Sequence, residues 1–145
     1  MELITNRTQA DVDRAKELWS KGWQNLTLEE KNEWLAGMKG AYNYTDWNRV
    51  ESAVAQLAEV LGIDLETKTD WAIEDEIKYS DQERYLNNIA ILRERGGCLV
   101  NTPPVPGSLS KLTYSLANDI EQILVDIETA VKLFSRCGEV YCGEV

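Results

Sequence analysis

The stretch that decides the fold is Lys111–Arg136, KLTYSLANDIEQILVDIETAVKLFSR. Its apolar side chains Leu112, Leu116, Ile120, Ile123, Ile127, Val131 and Phe134 recur at steps of 4, 4, 3, 4, 4 and 3 residues. Residues so spaced fall on one face of an α-helix, whereas a half-buried strand would alternate every second position. The spacing predicts a helix of about 39 Å at 1.5 Å per residue. Its apolar stripe approaches a heptad repeat. A stripe of this kind forms the spine of a bundle or meets a second copy of the chain, so these seven residues are also a candidate self-association seam.

Upstream, the same period recurs between helix-start and helix-stop signals. Thr8, three residues before Asp11, opens a helix to about Lys21 with Val12, Ala15, Leu18 and Trp19 on its inner side, and Gly22 ends it. Thr27 and Glu30 have capping-box spacing. The helix they open is expected to reach Lys39, with Leu28, Trp34, Leu35 and Met38 as core candidates, before Gly40. Thr45 is read as the cap of a third helix to Leu61, its face formed by Trp47, Val50, Val54, Leu57 and Leu61; Gly62 stops it. Ser80 and Glu83 open a fourth to about Arg95, with Tyr85, Leu86, Ile89 and Leu92 inward. The fold class is therefore mainly α: a small helical bundle with one long C-terminal helix. Alternation at Leu65, Thr67 and Thr69 allows a short strand near 65–69, and another is allowed near 139–145. Residues 1–145 read as one helical domain. The Gly96–Gly97 break and the prolines 103, 104 and 106 allow a hinge at 96–107, because each proline removes a donor and restrains the residue before it.

Composition narrows the function. At 145 residues and 43% apolar content the chain can bury a core without staples. A net charge of −10 disfavours nucleic acid and anionic membrane surfaces, both of which select clustered Lys and Arg. After Met1, the stretch to Asn6 offers only Leu3 and Ile4 as apolar side chains, so no export signal is expected. Cys98, Cys137 and Cys142 are then expected as reduced thiols made in a cytoplasm.

The chain has no histidine. That removes the usual general base, the Ser-His and Cys-His pairs and the commonest zinc ligand. Three cysteines fall short of a four-ligand structural zinc site. Gly37–Gly40 follows a helix instead of joining strand to helix, so it is no phosphate cradle. Glu74, Asp75 and Glu76 read as a solvated loop. No catalytic, cofactor-binding or metal residue is assigned, and no cofactor is expected. Among the five tryptophans, Trp19, Trp34 and Trp47 lie in apolar phase. Trp23 and Trp71 fall in connections and, with Tyr42 and Tyr44, form a candidate exposed aromatic surface.

Several phrases together resemble a known family. Asn6–Val12 (NRTQADV), Trp34–Asp46 (WLAGMKGAYNYTD), Asn48–Val50, Glu83–Ile89 (ERYLNNI), Lys111–Tyr114, Ala117–Glu121 (ANDIE) and Gly138–Glu144 are similar to a tail-region structural protein family of Gram-positive phages and prophages. The resemblance covers nearly the whole chain and departs at Cys137, where a serine or tyrosine is expected. It implies a non-enzymatic structural or adaptor component of a virion tail, self-associating and contacting other tail proteins. It carries no catalytic residues over. An intracellular regulatory adaptor and a carbohydrate-contacting tail-tip module remain the alternatives.

Overall fold

The computed structural model describes residues 1–137. Five α-helices succeed one another: α1 (Gln9–Lys21), α2 (Leu28–Leu35), α3 (Tyr44–Leu61), α4 (Tyr79–Gly96) and α5 (Tyr114–Cys137), with a short 3-10 turn at Trp23–Asn25. Among the described residues there is no strand, and the fold is a small helical bundle. The 65–69 stretch runs without strand pairing because helix side chains take its backbone groups. Arg84 and Asn88 donate to the Glu66 carbonyl, and Glu51 accepts from the Lys68 N–H. The expected 139–145 strand lies outside the described residues.

Caps set the helix boundaries, partly where expected. Thr8–Asp11 and Thr27–Glu30 form reciprocal capping boxes. At α3 the cap is Asn43, not Thr45: its Oδ1 accepts from the Thr45 N–H at 2.8 Å, and Asp46 accepts from the Asn43 N–H at 2.8 Å. At α4 the returning carboxylate is Asp81, which accepts from the Lys78 N–H at 2.9 Å. α2 stops at Leu35 instead of Lys39. Gly37 has φ +91°, which breaks the helix, and the chain then brings Gly40 against the first turn of α1. A Cβ on Gly40 would sit 2.1 Å from the Asp11 carbonyl oxygen, so only glycine permits this approach.

The core belongs to α3, α4 and α5, and each supplies corresponding positions. Val50, Tyr85 and Ile120 are buried together with Ala53, Asn88 and Ile123, then Val54, Ile89 and Leu124, then Leu57, Leu92 and Ile127. Within each set the residues are 35 apart, as are the first residues of the helices, Tyr44, Tyr79 and Tyr114. The three helices run parallel. Near their starts Trp47 packs on Tyr85 and Arg49 meets Glu121; near their ends Gly96 approaches Leu61 and Ile127. Parallel neighbours need long returns. The connections 62–78 and 97–113 supply 17 residues each, up to about 56 Å of extended chain against about 27 Å of helix.

Those returns are part of a repeated plan. Residues 67–71 lie in the groove between α3 and α4 and lead into α4. Residues 102–106 lie between α4 and α5 and lead into α5: Arg93 of α4 donates to the Thr102 and Pro103 carbonyls, and the Thr102 hydroxyl donates to Asp126 of α5. The proposed hinge segment is thus bonded to both helices. Residues 3–7 occupy the groove between α5 and α3, and precede α3. In units two and three, seven residues (72–78 and 107–113) separate segment from helix; in unit one there are thirty-six (8–43). The excess is the α1–α2 hairpin. Its stem is closed where the Arg7 Nε donates to the Lys39 carbonyl at 3.1 Å and the Lys39 ammonium to Asn6 at 3.1 Å.

Candidate functional site

Two buried carboxylates organise two of the grooves in the same way. Glu51, on α3, accepts from the Lys68 N–H (3.3 Å), the Trp71 indole N–H (2.6 Å) and Arg84 of α4 (2.7 Å). Glu121, on α5, accepts from the Ile4 N–H (2.9 Å), the Arg7 guanidinium (2.7 Å) and Arg49 of α3 (2.7 Å). One turn before each glutamate an asparagine clamps the backbone. Asn48 exchanges reciprocal bonds with Trp71 N–H and C=O (2.7 and 2.9 Å), and Asn118 does the same with Arg7 (3.0 and 2.9 Å). Segment, asparagine, glutamate and cross-helix arginine thus recur as a set.

These sockets are electrically closed. Glu51 faces Arg84, while Glu121 and Asp46 face Arg7 and Arg49. Burial by itself would depress the Arg49 pKa, yet bonds from Glu121 and Asp46 override it and hold the value above the ordinary range. Burial raises the Tyr42 and Tyr85 pKa values, and the two hydroxyls bond each other at 2.5 Å. Among the described residues no buried side-chain polar atom lacks a partner, and no group of three Cys, Asp or Glu side chains is placed to hold a metal ion. Paired carboxylates of this kind fix chain register, because each lone pair is already committed to a donor.

The third groove departs from the plan at every point. The counterparts of Lys68 and Trp71 are Pro103 and Pro106, neither of which has an N–H to give. The counterparts of Asn48 and Glu51 are Glu83 and Leu86, and Asp119 stands in the place of Arg49 and Arg84. A cavity of about 410 Å³ lies against α4, lined by its Tyr79, Gln82, Glu83, Arg84, Leu86 and Asn87 and by the 107–109 segment.

A different surface lies on the hairpin. Trp19, Trp23 and Trp34, with Leu18, Leu26 and Gly22, line an apolar groove of about 260 Å³. Trp19 is 77% exposed, and Leu28 (75%) and Leu35 (69%) are exposed nearby in sequence. The expectation that Trp19, Leu28 and Leu35 face inward is corrected: the hairpin packs through Ala15, Leu18 and Leu26, and α2 is too short to cover the rest.

The residues singled out from the sequence are distributed as follows. Of the α5 stripe, Ile120, Ile123 and Ile127 are fully buried inside the chain, Leu112, Leu116 and Val131 are half-buried, and Phe134 is 81% exposed. Its centre is therefore used within the bundle. The aromatic set is not brought together. Trp71 is buried under Glu51, Tyr42 is half-buried against Tyr85, and Trp23 and Tyr44 are exposed on different elements. Sequence reading missed the clamps, although Asn48 and Asn118, and Glu51 and Glu121, each lie two 35-residue periods apart.

No family model, curated protein or solved structure matches the chain. No helix among the described residues is long and apolar enough to cross a membrane.

Proposed function

We propose that the chain is a non-enzymatic structural or adaptor component of a bacteriophage or prophage tail, acting by protein–protein contact. One observation carries the contact reading: the hairpin inserted into unit one presents exposed Trp19 and Trp23 on a segment that none of the bundle's core requires. An insertion on a rigid scaffold is where recognition is commonly housed, and exposed tryptophans supply much of the energy at protein interfaces. The closed sockets support a non-catalytic role. The resemblance of phrases such as Asn6–Val12 and Trp34–Asp46 to phage tail-region proteins is what supports the tail. Self-association through the centre of α5 is not part of the reading, since those side chains are spent within the bundle; the hairpin is the contact surface, for another copy or for another tail protein.

The test is mass spectrometry of purified particles from a host that produces them, with wild-type chain and a Trp19→Ala, Trp23→Ala double variant. The wild type is expected in the particles. The variant should keep its helical circular dichroism yet be depleted by tenfold or more. A wild-type chain absent from the particles overturns the tail reading; a variant incorporated normally overturns the hairpin as its contact.

A further inference from the structure

Where the inserted hairpin meets the bundle, a cavity of about 370 Å³ lies between α1, the 39–42 stem and the start of α5. Its charge is opposite to that of the molecule. The chain carries −10 overall, yet the cavity is lined by Arg7, Lys16 and Lys39 and by no carboxylate. Arg7 adds little, because Glu121 and Asp46 already neutralise it. Lys16 and Lys39 are different. Among the described residues neither forms an ion pair, and the Lys39 ammonium bonds only the neutral Asn6. Asp11 and Asp13 of α1 lie outside the lining, the first bonded to Thr8 and the second to Gln9. At the position where α3 and α4 carry Asp46 and Asp81, α5 carries Leu116, so its first turn adds no negative charge.

We propose that this cavity binds a small organic anion. Its carboxylate or phosphate group would be held by the Lys16 and Lys39 ammonium groups, and its apolar body would rest against Val12, Leu112 and Tyr114. The lining asks for both parts. Two cations without counter-charge favour an oxyanion, while a bare inorganic ion would leave the apolar walls uncovered. The volume falls within the roughly 300–1,000 Å³ of small-molecule sites. A ligand seated there touches α1 and the stem as well as α5, so binding ties the hairpin to the bundle. The inference concerns a site separate from the Trp19–Trp23–Trp34 groove and stands without the tail reading.

Phenyl phosphate and phenylacetate, titrated separately into the ¹⁵N- and methyl-labelled chain and followed by NMR, test it. Saturable shifts are expected at the Val12, Leu112 and Ala117 methyls, weakening as salt is raised, and the tighter probe names the anionic group. Benzyl alcohol, which keeps the ring without the charge, should leave these signals unmoved. Lys16→Gln, at an exposed side chain in no ion pair, should retain the fold and weaken binding several-fold, and Lys16→Arg should preserve it. At ten times its Kd the bound probe should slow α1 amide exchange about tenfold. Absence of saturable shifts at these residues overturns the proposal, as does equal binding of benzyl alcohol or unchanged affinity in Lys16→Gln. Unchanged α1 exchange at saturation overturns the tie between hairpin and bundle.

Discussion

Glu121 shows how much a single side chain can hold. It has no exposed surface, yet it joins the N-terminal segment to α3 and α5 through Ile4, Arg7 and Arg49. A buried ion pair contributes little net stability compared with an apolar replacement of the same shape, because desolvation offsets the attraction. Removing one partner is another matter. In Glu121→Ala, Arg7 and Arg49 would share only Asp46, leaving buried positive charge uncompensated. The expected loss is about 3–5 kcal/mol in urea unfolding. Glu128→Ala, which breaks only the surface pair with Lys132, should cost less than about 1 kcal/mol. Equal losses would mean that the buried network adds nothing specific. The third groove illustrates the same rule in sequence: where the glutamate becomes Leu86, the arginine is gone as well, replaced by Asp119.

At the scale of the element, α5 is where sequence and structure agree most closely, and the reason is local. The steps from Leu116 to Phe134 lie within one helix, so periodicity alone reveals the buried face. Periodicity does not reveal where cover ends. Ile123 and Phe134 belong to one stripe, but Ile123 is surrounded by α3 and α4 while Phe134 lies beyond them. Ile123→Ala should therefore cost about 2–5 kcal/mol, and Phe134→Ala should lie within about 0.5 kcal/mol of wild type. A large loss at Phe134, measured by thermal unfolding of dilute protein, would show that another surface covers it. The same limit misplaced Trp19, Leu28 and Leu35, which have helical spacing without a neighbouring helix to bury them. The sockets were illegible for the opposite reason: Ile4 meets Glu121 across 117 positions and Arg49 meets it across 72. Only comparison of the sequence with itself, Tyr44-Thr45-Asp46 against Tyr79-Ser80-Asp81 and Tyr114-Ser115, carries that information.

Across the whole molecule, three repeated units and one insertion imply two levels of stability. α3, α4 and α5 share a core in which twelve corresponding positions are buried, and each groove between them is filled by an extended segment. The hairpin buries only Ala15, Leu18 and Leu26. It is held to the bundle at its stem by Arg7, Lys39 and the Gly40–Asp11 approach. Local opening free energy follows buried apolar contact, so the hairpin should open without unfolding the bundle. Native-state hydrogen exchange distinguishes the levels. Amides inside α3, α4 and α5 should exchange only through global unfolding, with a common denaturant dependence, while those of α1 and α2 exchange by a cheaper, less denaturant-sensitive opening. Arg7 sits at the junction of the two, since it bonds Lys39 of the stem as well as Glu121 and Asp46 of the bundle. Arg7→Ala should accordingly speed exchange in both regions, whereas Gly40→Ala, which forces a Cβ into the Asp11 backbone, should act first on the hairpin. Identical protection throughout the chain would mean that insertion and repeats form one cooperative unit, and the hairpin could not then move independently when it meets a partner.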